Sequence, residues 1–173
     1  AVKQDHVDIF LQPVMSLPQR EPYFYEILGR VKQDRNVHLK AGQFLDVVRE
    51  SKLIPSIDSL VFMRAIQMIR NQKPALKTPD NKDVGYFINL HLESLANRVF
   101  MNDIADYLDN NRFIANRLIF EFTQDDFTHI DHTMWLGLRK LAQFGCRFSM
   151  DGVTKLDLNV DELVVNSVQF AKI

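Results

Sequence analysis

The sequence predicts an α/β fold, in which short apolar strands alternate with amphipathic helices. Two observations predict it: a pair of strand-like runs opens the chain, and from residue 85 onward apolar runs alternate with helix-length segments. The chain has 173 residues, of which 46% are hydrophobic, enough to bury one core. We therefore expect a single domain over residues 1–173, built either as a (β/α) barrel or as a doubly wound sheet.

The composition argues against several function classes. Lysine and arginine number 21 and aspartate and glutamate 22, so a net charge of -1 provides no overall attraction for duplex nucleic acid or anionic lipid. The single cysteine, Cys146, rules out a disulfide framework, and the chain has no secretory or long apolar segment. These features predict a cytoplasmic domain with no membrane contact of its own, and they leave open a membrane anchor upstream of Ala1.

The first half of the chain predicts a hairpin followed by helices. The runs Asp8 to Leu17 and Tyr23 to Val31 flank a polar turn that contains two prolines. Residues 40–72 show helical periodicity, and we expect Pro55 to separate two helices, the second starting near Ser56 or Asp58. Residues 71–83 lack apolar periodicity and predict an exposed loop.

The second half predicts alternating strands and helices. Strands are expected at residues 85–90, 117–122, 146–150 and 168–173, with helices around 92–110 and 132–144. The strands are almost continuously apolar, which is typical of a parallel sheet covered by helices on both faces.

Polar side chains stand within or at the ends of these strands. Glu26 lies in the second strand, Asn89 and Glu121 near the ends of the third and fourth, and Asp151 after the fifth. In a barrel such strand ends converge, and their oxygen ligands suit Mg²⁺, Mn²⁺ or Ca²⁺ better than zinc. Lys172 would add a cation beside them. Each acidic residue alone is better explained as a helix cap, so the hypothesis of a site rests on their joint placement.

Two further features are interpreted as structural. His129 and His132 precede a predicted helix and are expected to be exposed capping and loop residues. Cys146 has no histidine placed in the sequence to activate it, so we expect a small core residue.

Five segments, taken together, resemble the successive motifs of EAL domains. They are Phe-Leu-Gln-Pro-Val at 10–14, Glu-Ile-Leu-Gly-Arg at 26–30, Ile-Asn-Leu at 88–90, Phe-Glu-Phe-Thr at 120–123 and Phe-Ser-Met-Asp at 148–151. EAL domains are TIM-like (β/α)8 barrels with an antiparallel first strand, and active members hydrolyse cyclic-di-GMP with two divalent metals. The resemblance implies that fold, truncated at the C-terminus, with the chain covering roughly the first two-thirds of it. Residues 120–124 and 151–154 most resemble the TipF-type flagellar regulators of alphaproteobacteria.

The resemblance also implies a role for each candidate residue. It implies that one metal ion, Mg²⁺ or Mn²⁺, binds at the first metal site. It also implies that an arginine holds a phosphate of the dinucleotide and that a lysine lies near the attacking water. Two further residues are implied to line the pocket. The matching positions are Glu26, Asn89, Glu121 and Asp151 for the metal, Arg30 for the phosphate, Lys172 near the water, and Leu28 and Gln12 in the pocket.

Departures from the family pattern predict the loss of hydrolysis. Gly152 stands where active members have a second aspartate, a ligand of the second metal, and glycine has no side chain to offer. Gln124 replaces an acidic residue, Ile27 replaces the alanine of the name motif, and residues 153–158 replace a loop rich in glycine and serine. Losing one of two metals removes much of the stabilisation of the transition state.

The function expected from the sequence is a catalytically inactive EAL domain. It would bind cyclic-di-GMP and regulate a protein partner or its own homodimer, in flagellar assembly or motility, and would need no metal if it is purely a receptor. Two alternatives are left open: a weak metal-dependent cyclic-di-GMP phosphodiesterase, and a ligand-free scaffold for protein contacts.

Overall fold

The computed structural model describes residues 6–17, 20–34, 37–72, 76–155, 157 and 160–173. They belong to two compact units, residues 1–84 and residues 85–173. No helix among the described residues is long and apolar enough to cross a membrane.

The first unit begins with an antiparallel sheet. Strand β1 (Val7–Met15) pairs antiparallel with β2 (Pro22–Asp34), which pairs antiparallel with β3 (Val37–Leu39). The predicted hairpin is therefore confirmed, including the antiparallel first strand. The sequence did not predict β3, because three residues are too few to show an alternating pattern.

Two helices follow, α1 (Ala41–Glu50) and α2 (Ile54–Asn71). The helical region is confirmed, but the predicted break at Pro55 is wrong, since Pro55 lies inside the first turn of α2. Proline fits there because the first backbone N–H groups of a helix have no partner within it. The chain instead turns at Lys52, which has a φ of 56°.

Helix α2 packs against one face of the hairpin. Val7 and Ile27 are buried on that face. At Gly29 a Cβ atom would lie 2.8 Å from Cγ2 of Val61, so any larger residue would push the helix away. Helix α2 thus covers part of the apolar side of β1 and β2, on which Leu11 stays exposed, and the alternate residues of both strands point to the other side.

Among its described residues, the second unit contains four parallel strands. They are adjacent in chain order: β4 (Gly85–Asn89), β5 (Leu118–Thr123), β6 (Arg147–Asp151) and β7 (Val168–Ala171). The four predicted strands are confirmed, with ends displaced by one or two residues.

Six helices accompany these strands in the described part of the chain, and several short ones were not predicted. The predicted helix at 92–110 is broken at Asn97, whose side chain accepts a hydrogen bond from the N–H of Phe100 and so starts a new helix. Thr123 and Asp131 cap two later helices in the same way. In chain order the helices are α3 (Leu92–Leu95), α4 (Arg98–Asp109), α5 (Arg112–Ala115), α6 (Gln124–His129), α7 (His132–Gln143) and α8 (Val160–Val165).

One face of the parallel sheet is filled with aromatic rings. Phe120 and Phe148 stack with their centroids 6.5 Å apart, and Phe122 meets Trp135 of α7 edge to face at 6.5 Å. Glu121 lies between Phe120 and Phe122 in β5. Because successive residues of a strand point to opposite faces, its side chain points away from this aromatic core. The opposite face therefore carries the polar residues.

Candidate functional site

The eight candidate residues divide equally between the two units. Those in the first unit lie on β1 and β2, and those in the second lie on or beside β4 to β7. The first group is Gln12, Glu26, Leu28 and Arg30, and the second is Asn89, Glu121, Asp151 and Lys172.

Strand pairing brings the first group together on one surface. Gln12 stands opposite Glu26 in the antiparallel register, with Phe10 opposite Leu28 and Asp8 opposite Arg30. Residues directly opposite each other share a face, and alternate residues of each strand share it too. We call this surface the hairpin face; it is formed by Asp8, Phe10, Gln12, Glu26, Leu28 and Arg30.

Arg30 has its guanidinium group available on the hairpin face. Its Nη1 donates a hydrogen bond to the carbonyl of Gly29 at 2.9 Å, and its Cζ lies 5.8 Å from the ring centroid of Phe10. Arg30 forms no ion pair with any residue that the structure describes. Its remaining N–H donors can therefore meet a phosphate in a bidentate manner.

Asp8 stands opposite Arg30, but its carboxylate interacts with other residues. It accepts hydrogen bonds from Nε2 of His38 at 2.9 Å and from Nζ of Lys32 at 3.0 Å. The hydrogen bond from His38, and then that from Lys32, hold the pKa of Asp8 below its ordinary value. Asp8 thus stays charged at neutral pH and is satisfied without Arg30.

The second group meets at the carboxyl ends of adjacent parallel strands. Asn89 of β4 is in register with Glu121 of β5, and Asp151 of β6 is in register with Thr123, two residues beyond Glu121. The three oxygen-bearing side chains therefore share one face of the sheet. Together with Lys172 they form what we call the strand-end cluster.

Lys172 is fixed in this cluster by its backbone and by its side chain. Its N–H donates to the carbonyl of Met150 at 2.8 Å, and its carbonyl accepts from the N–H of Val153 at 2.9 Å. Its Nζ donates to Oε1 of Glu121 at 2.7 Å and lies 4.6 Å from the ring centroid of Phe87. The side chain of Glu121 is 1% exposed and that of Lys172 is 26% exposed, so a buried carboxylate is neutralised by a half-buried ammonium.

The donor atoms of the strand-end cluster are of the kind that Mg²⁺ and Mn²⁺ prefer. Oε1 of Glu121 already accepts a hydrogen bond from the Lys172 ammonium, so a metal ion bound at this carboxylate would lie close to that positive charge. No three or more His, Cys, Asp or Glu side chains among the described residues are grouped to hold a metal ion. The described residues thus show an ion pair between Glu121 and Lys172 in this cluster, and the metal ligands proposed from the sequence stay a prediction.

The loop after β6 begins at Gly152, which the resemblance predicts to be a departure from the family pattern. Gly152 has a φ of 62° and is exposed, and no atom lies within 4 Å of the position that a Cβ would take. Its positive φ favours glycine, while aspartate and asparagine tolerate this region better than other residues. Packing therefore does not require glycine here, and its chemical effect is the absence of a carboxylate beside Asp151.

Gln124 holds the same loop in place, a role that the sequence did not reveal. Its Oε1 accepts from the N–H groups of Thr154 at 3.0 Å and Lys155 at 3.1 Å, and its Nε2 donates to the carbonyl of Lys155 at 2.8 Å. A carboxylate would keep the acceptor but lose the donor. The amide of Gln124 thus makes one more hydrogen bond to the loop than a carboxylate could make.

A cavity of about 670 Å³ lies between this loop and α6. Four carboxylates, of Asp125, Asp151, Asp157 and Glu162, line it together with one ammonium, that of Lys155. The excess of negative charge disfavours a phosphate there. Within the candidate residues, the place suited to an anion is thus Arg30 on the hairpin face.

The remaining polar residues singled out by the sequence lie in structural positions. Nδ1 of His129 hydrogen-bonds the carbonyl of Asp125 within α6 at 2.8 Å, and His132 is the exposed first residue of α7. Cys146 is buried with 3% exposure, and burial raises the pKa of its thiol to about 12. A thiol with that pKa is a poor nucleophile at neutral pH.

Comparisons with known proteins agree on one family. The sequence profile described as EAL domain matches residues 1–173. The chain is 26% identical over 152 residues to PdeF of Escherichia coli, a cyclic di-GMP phosphodiesterase; the match covers 87% of this chain and 19% of PdeF.

Two solved structures show the same fold at low sequence identity. The EAL domain of FimX from Pseudomonas aeruginosa, bound to c-di-GMP, has a TM-score of 0.78 and 22% identity over 98% of this chain and 66% of that one. YkuI of Bacillus subtilis, in complex with substrate c-di-GMP and calcium, has a TM-score of 0.71 and 20% identity over 98% of this chain and 41% of that one. The chain thus spans only part of each of these relatives.

Proposed function

This chain belongs to the EAL domain family, and we propose on that premise that it is a receptor for cyclic-di-GMP that does not hydrolyse the dinucleotide. One observation carries the proposal: Arg30 stays available on the hairpin face, while Gly152 leaves no carboxylate after Asp151. Binding requires side chains that neutralise the phosphates of the dinucleotide and contact its bases. Hydrolysis also requires a poised water and a stabilised transition state.

The hairpin face supplies what binding needs. The guanidinium of Arg30 offers two parallel N–H donors to a phosphate, which is stronger and more directional than a single point charge. Gln12 is exposed and offers an amide, and Leu28 offers apolar surface on the same face. Asp8 opposite Arg30 does not compete, because His38 and Lys32 hold it.

The receptor function that we propose requires no divalent ion. If one Mg²⁺ or Mn²⁺ is bound, Glu26, Asn89, Glu121 and Asp151 are the residues proposed to hold it, and its chemistry would be to neutralise phosphate charge. In the strand-end cluster Lys172 already supplies a positive charge next to Glu121. Ligand affinity is therefore expected to change little when Mg²⁺ is removed.

Replacing Arg30 with alanine is expected to weaken binding of cyclic-di-GMP by about ten-fold to a hundred-fold, the cost of losing hydrogen bonds between charged groups. The measurement is calorimetric titration of the dinucleotide into the wild-type and variant proteins, with and without Mg²⁺. Arg70→Ala is the matched control, because Arg70 is an exposed arginine on α2 of the same unit.

Two outcomes would contradict the receptor proposal. A flat titration with folded wild-type protein would favour the ligand-free scaffold. An equal loss of affinity in Arg30→Ala and Arg70→Ala would mean that the dinucleotide is held by general charge and not at the hairpin face.

A receptor also needs a component that responds when the ligand is bound. We propose a protein partner or a second copy of this chain, in the flagellar setting of the TipF-type regulators, on the strength of the segments at 120–124 and 151–154. The samples used for calorimetry distinguish the two on a size-exclusion column. A shift to twice the mass with ligand supports the second copy, and an unchanged mass rules out this dimer and leaves the partner.

A further inference from the structure

We infer that Phe10 is the residue on which one base of the bound dinucleotide stacks. This inference rests on the proposed function, and it names the aromatic contact that the hairpin face makes beside the phosphate contact of Arg30. None of the residues already considered for ligand binding on this face offers an aromatic ring.

The ring of Phe10 is exposed on the hairpin face. Its exposure is 47%, although it lies in the middle of a paired strand and not in a turn or at a chain end. On the opposite face of β1 and β2, Val7 and Ile27 are buried toward α2. Phe10 instead projects on the hairpin face beside Gln12, Leu28 and Arg30. An exposed aromatic ring beside an arginine offers a face on which a base can stack.

The ring is also held in position before any ligand arrives. The imidazole of His38 contacts it with ring centroids 5.3 Å apart and planes 74° apart. His38 is itself fixed by its 2.9 Å hydrogen bond to Asp8. The ring therefore has less freedom to lose on binding, which favours affinity.

Arg30 and Phe10 suit two adjacent parts of a single nucleotide. The Cζ atom of Arg30 lies 5.8 Å from the ring centroid of Phe10. A phosphate that meets the guanidinium therefore brings its neighbouring base within reach of the ring. Stacking does not distinguish one base from another, so Phe10 would contribute affinity, and any preference for guanine would fall to hydrogen-bonding groups such as the amide of Gln12.

The test compares an aliphatic and an aromatic replacement at position 10. We expect Phe10→Leu to weaken binding of cyclic-di-GMP by about ten-fold to a hundred-fold, the range found when a stacked ring is removed. Phe10→Tyr keeps the ring and is expected to bind within about three-fold of wild type on the same grounds. Phe113→Leu is the matched control, because Phe113 is a 60% exposed phenylalanine on α5.

A second measurement covers the case in which Phe10→Leu does not fold. In Phe10→Trp the new indole is expected to be quenched by the ligand, beyond any change at Trp135 in the wild-type protein. The inference is overturned if wild-type protein binds and Phe10→Leu binds equally well, or if the indole signal does not change on saturation. If wild-type protein does not bind at all, the receptor proposal itself fails, and the two failures are thus distinguishable.

Discussion

Replacing Lys172 with methionine is expected to lower the free energy of unfolding by about 3 to 5 kcal/mol. The carboxylate of Glu121 is 1% exposed, and its Oε1 accepts the Lys172 ammonium at 2.7 Å. Methionine keeps most of the length of the side chain but leaves the buried charge of Glu121 without that cation. Urea unfolding measures the loss, and Lys140→Met, an exposed lysine on α7, is the control.

The reverse substitution is expected to cost less. In Glu121→Gln the group that loses its carboxylate partner is the ammonium of Lys172, which is 26% exposed and can turn toward water. The double variant Glu121→Gln with Lys172→Met is expected to recover most of the lost stability, because no buried charge remains. Equal costs for the two single changes, or no cost for Lys172→Met, would contradict this view of the ion pair. If Mn²⁺ restored the free energy of unfolding of Lys172→Met, this would instead show that Lys172 stands where a metal ion can bind.

Alkylation of Cys146 by iodoacetamide at pH 8 is expected to be about 1,000-fold slower in the folded protein than in the unfolded chain. Burial raises the pKa of this thiol from 9.0 to about 12, and the reaction requires the thiolate. Mass spectrometry of native and urea-unfolded samples over time gives the two rates.

The same pKa shift sets a direction for stability. The unfolded chain ionises Cys146 above about pH 9 and the folded chain does not, so the folded state loses stability as pH rises from there toward 12. A native alkylation rate within ten-fold of the unfolded rate would contradict the burial and would make the thiol a candidate nucleophile. The thiol of Cys146 has no chemical role in the proposed receptor function.

Much of the fold could be predicted from local patterns. The hairpin was marked by its polar turn, and the strands of the second unit by apolar runs that aromatic packing around Phe120 and Phe122 explains. Short elements such as β3 and α5 were not predicted, because three or four residues are too few to show a hydrophobic periodicity. The break after α1 was misplaced because proline is as well suited to the first turn of a helix as to the space between two helices.

The site could be predicted only in part, because its geometry depends on register. The positions of Glu121 and Lys172 at strand ends predicted that they belong to one cluster, yet their direct ion pair depends on β7 lying beside β6. Gln124 was recognised as a departure, but its hydrogen bonds reach residues thirty positions away and leave no local signal. Phe10 belonged to a quoted motif, and only the pairing with β2 put its ring beside Arg30.

Binding without cleavage is tested most directly by incubating the protein with cyclic-di-GMP and either Mg²⁺ or Mn²⁺, at concentrations where calorimetry shows saturation, and then separating the nucleotides by chromatography. We predict that the dinucleotide is recovered intact, because Gly152 offers no ligand for a second metal. Appearance of linear pGpG that is lost in Glu26→Ala would contradict the receptor assignment and identify a phosphodiesterase.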